Sequence, residues 1–460
     1  MTMPEVLNQQ RSSRWLLALV LIFLLALTVR LGFVYLVPHP DNLVGDSVEF
    51  DLLARNLLAG HGLSYEEPWR PSARKTPLYP WLLAQTYRIF GPGDYTPLLT
   101  LQAVLDALLV VMLAWLAMWA WQDDRMGLLA AGLWAIYLPG AQLAGRLLAD
   151  SLFGVLQFLG FSLFIFGMRR GFRSRDAALL GGASGLSFGL AALTRPTGLY
   201  APLLMLLALV AGMGLHRWRR KKNVIVPRAK SHFGLMAASM LLLWFLTLIP
   251  WTVRNYRIFH QIIPGSTLVD FNFYFTHRRL GQPDYWHYHR LGESLGALRD
   301  LARKQGLDPE AMDEAALFRL GRAYGLAQVR AHPDRFFLLS GRRVLQLWFN
   351  LGYSARPSLA TLLFFGMNLV LLMMAFWAEF QAWRHRHNMF SSLDVTRSTI
   401  HFAVIIVLLY YTAGYASLIA YGRYIIPAIP FLIILSAGAP RRWIVSHGVR
   451  KVENTRSHVE

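Results

Sequence analysis

The sequence predicts an all-α polytopic membrane protein with about ten transmembrane helices. Of its 460 residues, 55% are hydrophobic and only 16% are charged, whereas about 25% of residues are charged in an ordinary soluble domain. Ten apolar runs are candidates to cross the roughly 30 Å of hydrocarbon in a bilayer. They lie near residues 15–37, 96–121, 127–145, 150–168, 177–194, 198–215, 233–251, 358–382, 400–420 and 424–438.

The distribution of Lys and Arg predicts that both termini are cytoplasmic. With the N-terminus inside, the cytoplasmic segments hold 22 Lys and Arg residues and the short outward loops hold eight, as the positive-inside rule requires. The long outward segment carries fifteen more, but long translocated segments escape this rule. The first apolar run is long for a signal peptide and lacks a small-residue cleavage site, so we expect it to remain as an anchor.

The formal net charge of +20 has an explanation in this topology. Basic runs such as residues 217–222 would face anionic lipid headgroups on the cytoplasmic side. Membrane lipids are therefore the expected partners of this basic surface, and nucleic-acid binding is not expected.

Three parts follow from the order of these segments. Residues 1–251 form an N-terminal transmembrane module whose first outward loop covers residues 38–95. Residues 252–357 form a small outward cap, and residues 358–460 form the last transmembrane helices and a cytoplasmic tail. Within the cap, Asp308-Pro309-Glu310 predicts the start of a helix that runs to about Arg330.

The first outward loop is predicted to contain two helices. After Asp46, the apolar residues at positions 50, 53, 54, 57 and 58 form one helical stripe that ends at Gly60-His61-Gly62. A second helix is predicted to begin at Thr76-Pro77, where Thr can cap and Pro suits the first turn, and to end before Gly91-Pro92-Gly93. The loop would then form a ledge at the membrane surface.

Asp46 allows a structural and a functional interpretation. Asp46 and Glu49 have the spacing of a capping box, in which the carboxylate only accepts a backbone N–H at the start of a helix. The functional interpretation makes Asp46 part of a site at the membrane surface.

Charged residues at outward helix ends favour the functional interpretation. The positive-inside rule disfavours an arginine at an outward helix end. An anionic ligand such as a lipid phosphate would explain why several arginines and a lysine occur there together. The charged residues on this face are Asp46, Lys75, Arg146, Asp150, Arg195, Arg254 and Arg423. Asp106, inside the second apolar run, is instead predicted to make an interhelical hydrogen bond, with a proton relay as the alternative.

Several classes of chemistry are excluded or disfavoured by what the sequence lacks. It has no cysteine, so disulfides, thiolate catalysis and Cys-based metal sites are excluded. It has no GxxxxGK[ST] or HExxH motif. It also shows no internal repeat of the kind found in many secondary transporters, which disfavours that class.

Most of the chain is covered by segments that resemble those of one enzyme family in the same order. They are Gly45-Asp46-Ser47 with "LLARNLLAGHGLSY", "PSARKTPLYPWLLAQTYRIFG", "LAGRLLADSLFGVLQFLG", "LAALTRPTGLY", "IPWTVRNYRIFHQIIPGST", "VRAHPDRFF" and "GRYIIPAIPFLIIL". The family that they resemble is the GT-C integral-membrane glycosyltransferases, and within it the bacterial relatives of protein O-mannosyltransferases and of the lipid A aminoarabinose transferase.

The resemblance implies a sugar transfer from a polyprenyl-phosphate donor to a lipid, polysaccharide or protein acceptor. It implies the periplasmic face of a bacterial inner membrane, with hexosyl or pentosyl transfer. It places Asp46 as the catalytic base, with Asp150 at the second acidic position. Ser47 stands where the O-mannosyltransferases carry Glu, which argues against protein mannosylation.

The remaining candidate residues divide between donor and acceptor. Displacement of a phosphate from an anomeric carbon needs a base for the acceptor and cations for the leaving group. The candidates for binding the donor phosphate are Lys75, Arg74, Arg195, Arg254 and Arg423. The candidates for binding the acceptor or sugar are Glu49, Tyr79, Arg146, Asn255, Tyr274 and His277.

Alternatives stay open at this point. No cofactor is required, although a divalent ion between Asp46 and Asp150 is an alternative because hard cations prefer oxygen ligands. His277, His287 and His289 have the right side chains for a metal but no recognised spacing. A transporter or flippase of lipid-linked saccharides is the alternative function, and a non-catalytic scaffold is a third.

Overall fold

The computed structural model describes residues 13–37, 43, 45–65, 70–169, 172–220, 232–285, 291–351, 358–384 and 395–440. Within these ranges the secondary structure is helical, apart from turns and one isolated bridge between Ser64 and Pro71. His287, His289 and the C-terminal tail beyond residue 440 lie outside the described residues.

Eight helices are long and apolar enough to span a membrane, so the predicted fold class is confirmed for the described part of the chain. They are α1 (Ser13–Tyr35), α4 (Thr96–Trp121), α7 (Ala149–Gly167), α8 (Ser174–Thr194), α9 (Ala201–Arg220, preceded by the 3-10 turn Pro196–Tyr200), α10 (His232–Phe259), α15 (Leu359–Arg384) and α16 (Val395–Ser417). A ninth predicted run is a bent pair, α5 (Asp124–Ala135) and α6 (Leu138–Ala144). The tenth is shorter and consists of the 3-10 turn Gly422–Ala428 and α17 (Ile429–Ser436).

A buried arginine supports the bend of 56° between α5 and α6. Arg30 of α1 donates hydrogen bonds to the carbonyls of Trp134 and Ala135 at 2.8 and 2.7 Å, which are carbonyls that a helix end leaves without intrahelical partners. Its Nε lies 2.7 Å from the Asp106 carboxylate of α4. The predicted interhelical bond of Asp106 is thus confirmed, with Arg30 as its partner.

Three glycines on one face of α8 allow close packing against α10. Gly181, Gly185 and Gly189 recur at every fourth position, the small-residue spacing found where membrane helices approach closely. A Cβ at Gly185 would lie only 2.0 Å from the Met240 carbonyl oxygen. This packing fixes α10, which continues to Phe259 instead of ending at residue 251 as predicted.

The first loop and the cap pack against each other. The first loop contains α2 (Asp46–Leu58) and α3 (Leu78–Phe90), with positive φ at Gly60, Gly62 and Gly91 after the helix ends, so both predicted helices are confirmed. The cap contains α11 (Leu268–His277), α12 (Leu291–Lys304), α13 (Glu314–Ala331) and α14 (Pro333–Phe349).

Two details of these predictions are wrong. The helix predicted from Asp308 begins at Glu314, because Asp313 caps it by accepting the Ala316 N–H at 2.7 Å. Helix α3 begins after Pro77 without a side-chain cap, so Thr76 does not cap it as predicted.

Candidate active site

Asp46 is the first residue of α2, and its carboxylate points away from the helix that it begins. The N-cap position belongs to Gly45, whose φ of 62° is a conformation that favours glycine, and no side chain caps the helix. Asp46 Oδ1 lies 2.6 Å from Lys75 Nζ, and Oδ2 pairs with Arg423. The capping-box interpretation is therefore wrong, and Asp46 is an acid held by two cations.

Glu49 lies one turn further along α2 and shares Lys75 with Asp46. Its carboxylate is 3.0 Å from Arg74 and 3.2 Å from Lys75. The Arg74 guanidinium also stacks on the Tyr65 ring at 4.5 Å. Two acids and two bases of the first loop thus form one connected group.

A second acid and base pair comes from the start of α7 and the end of α8. Asp150 is in the first turn of α7, where the helix dipole favours a negative charge. Arg195 follows the last residue of α8 and precedes Pro196, so its backbone is extended, with φ −146° and ψ 136°. This break in the chain directs the guanidinium to the Asp150 carboxylate, with which it forms an ion pair.

Tyr424 connects the two acid and base groups. Its ring centroid lies 4.8 Å from the guanidinium carbon of Arg195 and 5.2 Å from that of Arg423. The ring also stacks on Tyr415 at 4.9 Å. The aromatic face between two cations fixes both arginines without neutralising either of them.

The electrostatics of the group strongly favour the charged forms. Burial alone would raise the pKa of Asp46, but Lys75 and Arg423 outweigh it and hold the pKa well below its usual value. Burial alone would lower the pKa of Lys75, but Asp46 and Glu49 raise it above the usual value. In this state Asp46 is an ionised carboxylate and a weak proton acceptor.

Two cavities lie on either side of this ion-pair group. The smaller, of about 120 Å³, is lined by residues that include Asp46, Lys75, Asp150, Arg195 and Tyr424. The larger, of about 570 Å³, is lined by residues that include Arg146, Arg423, Gln142, Phe33, Leu359 and Phe364. Arg423 lines the larger cavity while it pairs with Asp46 of the smaller one.

Four predicted site residues lie away from both cavities. Tyr79 has no exposed surface and packs edge-on against Phe50 at 4.7 Å. Arg254 donates to the Ser72 carbonyl at 2.9 Å, and Asn255 donates to the Ile263 carbonyl at 2.8 Å, so both support backbone segments. Tyr274 packs in the core of the cap with Phe271.

His277 is the fifth such residue, and its surroundings disfavour a positive charge. It has no exposed surface and contacts Arg343 Nη1 at 3.1 Å. Burial, with the charge of Arg343, lowers the pKa of His277 to about 3. His277 is therefore a buried, neutral imidazole, and it lines neither of the two cavities.

Among the residues on the smaller cavity that were not predicted from sequence are two tyrosines and one asparagine. They are Tyr415, Asn272 and Tyr424. The tyrosines that accumulate from Tyr410 to Tyr424 at an outward helix end are the signal that would have found two of them, since aromatic residues concentrate at the membrane interface. Asn272 carries no such signal.

The acids of the site have cationic partners instead of a metal-binding arrangement. Within the described ranges, no group of three His, Asp or Glu residues could hold a metal ion. Asp46 is paired with Lys75 and Arg423, and Asp150 with Arg195. This donor set does not fit the divalent ion considered as an alternative, because a cation would have to displace three basic side chains.

Comparison with known proteins supports the fold. A scan of protein-family models and a search of curated proteins gave no significant match. Among solved structures, the archaeal oligosaccharyltransferase AglB from Archaeoglobus fulgidus, in complex with an inhibitory peptide and a dolichol-phosphate, superposes with a TM-score of 0.55 at 15% sequence identity. The apo form of the Archaeoglobus fulgidus enzyme gives a TM-score of 0.56 at 14% identity.

These matches cover 97% of this chain and 52% of the oligosaccharyltransferase, so the chain spans about half the length of that protein. A second neighbour is ArnT from Cupriavidus metallidurans bound to undecaprenyl phosphate, with a TM-score of 0.38, 16% identity, and coverage of 94% of this chain and 79% of that one. The TM-score of the ArnT superposition is too low to add to the fold assignment. The chain therefore shares its fold with about half of the archaeal oligosaccharyltransferase, and the resemblance noted in the sequence is confirmed for the fold.

Proposed function

We propose that this protein is a glycosyltransferase that moves a sugar from a polyprenyl-phosphate donor to an acceptor at the outward membrane surface. The observation that carries the proposal is the acid Asp46, held by Lys75 and Arg423 at the boundary of two cavities. The GT-C fold supports it, since the archaeal neighbour is an oligosaccharyltransferase in complex with dolichol-phosphate. We place the site on the periplasmic face of a bacterial inner membrane, with both termini cytoplasmic.

The two cavities suit the two ends of such a donor. The larger cavity has apolar walls from α1 and α15 and two arginines, Arg146 and Arg423. Its volume of about 570 Å³ is within the range of small-molecule sites, and its composition suits a lipid chain that ends in a phosphate. The smaller cavity, whose lining includes Asp46 and Asp150, would hold the sugar and the acceptor hydroxyl.

The proposed reaction is a single displacement with inversion at the anomeric carbon. The acceptor oxygen forms a bond to C1 while the bond from C1 to the phosphate oxygen breaks, and its electron pair remains on the phosphate. The hydroxyl proton passes to the Asp46 carboxylate. Lys75, Arg195 and Arg423 stabilise the second negative charge that develops on the leaving phosphate.

Because of the ion pairs of Asp46, donor binding would have to come before proton transfer to Asp46. Without donor, Lys75 and Arg423 keep the pKa of Asp46 low, and such a carboxylate accepts a proton poorly. A bound phosphate competes for both cations, and each one that turns to it raises the pKa of Asp46 towards its usual value. Donor binding would thus activate the base.

The test is transfer by the purified full-length protein in detergent. We expect it to transfer sugar from one member of a panel of synthetic polyprenyl-phosphate hexoses and pentoses to a lipid, saccharide or peptide acceptor, read by mass spectrometry. Asp46→Asn should reduce transfer by about 10³-fold or more. A folded Asp46→Asn protein with wild-type transfer would show that Asp46 is not the base.

A matched control comes from the same helix. Asp51 bonds to Arg55 at 2.8 Å and to Tyr87 at 2.5 Å, and it does not line either cavity. Asp51→Asn should therefore keep transfer per folded molecule. A flippase would bind the same lipids without forming a product, so complete absence of product across the panel would favour transport.

A further inference from the structure

Glu314, the first residue of α13 in the cap, holds residues 72–75 of the first loop, which include the site cations Arg74 and Lys75. The Glu314 carboxylate accepts hydrogen bonds from Ser72 Oγ at 2.7 Å, from Ala73 N at 3.0 Å and from Thr267 Oγ1 at 2.6 Å. Ala73 is fully buried. One carboxylate thus joins the first loop, the turn before α11 and the start of α13.

Neighbouring contacts hold the same segment in one register. The Thr267 N–H donates to the Ala73 carbonyl at 3.1 Å, and Ser266 Oγ donates to the Arg74 carbonyl at 2.5 Å. Arg254 donates to the Ser72 carbonyl. Among these contacts Glu314 is the charged acceptor, and hydrogen bonds to a charged group are stronger than those between neutral groups.

The position of this segment decides where Lys75 and Arg74 point. Ala73 is followed directly by these two residues, whose side chains reach Asp46 and Glu49 at 2.6 and 3.0 Å. A shift of about 1 Å in a positioning group is enough to weaken catalysis or binding strongly.

We infer that Glu314 is a positioning residue that sets Lys75 and Arg74 for binding the donor phosphate. The inference rests on the proposed function. Glu314 does not line the smaller cavity, so it acts through the backbone of residues 72–75 and makes no contact with substrate. The cap therefore contributes to the site through its hold on the first loop.

The test measures binding of undecaprenyl phosphate to the purified full-length protein in detergent by native mass spectrometry. We expect Glu314→Ala to weaken binding about tenfold, which corresponds to the loss of one charge-assisted contact. Glu314→Gln should recover most of the affinity, because the amide oxygen still accepts hydrogen bonds. Equal affinity of Glu314→Ala and wild type would overturn the inference.

A double-mutant cycle separates positioning from general stabilisation. If Glu314 acts through Lys75, then Glu314→Ala should weaken binding much less in a Lys75→Ala protein than in wild type. A structural role alone would lower the affinity by the same factor in both backgrounds, and that result would also overturn the inference. If the alanine variant does not fold, Thr267→Val, which removes one of the three hydrogen bonds to Glu314, takes its place in the cycle.

Two controls distinguish this inference from the proposed function. Glu310 has an exposed side chain 3.9 Å from Arg299, so Glu310→Ala should bind undecaprenyl phosphate as wild type does. Lys75→Ala alone should weaken binding. If it does not, the proposed phosphate site fails and this inference fails with it; if it does while Glu314→Ala has no effect, only the positioning role of Glu314 fails.

Discussion

Arg423 and Asp46 form an ion pair although 377 positions separate them in the sequence. The pair joins the first outward loop to the segment between the last two apolar helices. Arg423 lines the larger cavity and Asp46 lines the smaller one. A ligand phosphate bound to Arg423 would therefore weaken its ion pair with the Asp46 carboxylate. This relationship leads to the first prediction.

Removal of Arg423 should move the acid limb of the pH profile to higher pH. Burial raises the pKa of Asp46 and the two cations lower it further than burial raises it, so Arg423→Gln should raise this pKa. The measurement is kcat between about pH 3 and about pH 9, because kcat reports the donor-bound protein, in which the phosphate raises the pKa of Asp46 towards its usual value. Arg88→Gln, a change at an exposed arginine of α3, is the control. Superimposable acid limbs for wild type and Arg423→Gln would contradict the coupling.

The same ion pairs predict the direction of acid destabilisation. A carboxylate whose folded pKa is lowered contributes stability above its unfolded pKa of about 3.9, and this contribution is lost as the pH falls below it. Asp46→Asn should therefore reduce the difference in melting temperature between about pH 6 and about pH 3. Thermal unfolding in detergent measures this, and an unchanged difference would count against the ion pairs.

Arg146 should contribute to lipid-phosphate affinity. It lines the larger cavity together with Arg423, and a phosphate contact of this kind is worth about a tenfold change in affinity. We expect Arg146→Ala to weaken binding of undecaprenyl phosphate about tenfold, with Arg88→Ala as the matched arginine control. Wild-type affinity of the Arg146→Ala protein would place the phosphate elsewhere.

Asp106 should be needed for stability and dispensable for chemistry. Loss of its carboxylate leaves the fully buried Arg30 without an ionic partner, and breaking a buried pair costs about 3 to 5 kcal/mol. Asp106→Ala should therefore lower the melting temperature, while the folded fraction of Asp106→Asn keeps its transfer rate. A folded Asp106→Asn protein without transfer would support the proton relay instead.

The face of α8 that meets α10 should tolerate no added methyl group. A Cβ at Gly185 would lie 2.0 Å from a backbone oxygen, whereas a Cβ at Gly182 would lie 3.6 Å from the nearest side-chain atom. We expect Gly185→Ala to destabilise the protein by about 1 to 3 kcal/mol. Gly182→Ala should be neutral or stabilising by about 0.5 to 1 kcal/mol. Equal melting temperatures of the two variants would contradict the close packing.

Elements with a local cause were predictable from the sequence. Helix α2 ends near Gly60 because glycine readily adopts positive φ there, and α3 ends before Gly91 for the same reason. The long apolar runs predict spans because a bilayer requires about 20 apolar residues in a helix. The charges at outward helix ends, including Asp46, Lys75, Asp150, Arg195 and Arg423, were found because charge at a membrane edge needs an explanation.

The partners of these charges could not be predicted in the same way. Arg254, Asn255 and His277 have the same residue types as ligand-binding groups, yet each of them forms a hydrogen bond with a backbone carbonyl. The functional arrangement of Arg423 depends on contacts between segments hundreds of residues apart. No local pattern encodes such contacts, because the bilayer selects for helix length and polarity and leaves helix order to packing.

The sequence by itself determined that this chain is a bundle of apolar helices long enough to span a membrane, with charged residues at helix ends, since hydrophobicity and charge act locally on insertion. Tertiary structure alone decided that Asp46 is an ion-paired acid and does not cap its helix. It also decided that Tyr424 lies between two arginines and that Glu314 holds the segment before Lys75. The physical reason is that hydrogen bonds and ion pairs form only between groups that folding brings within about 3 Å of one another.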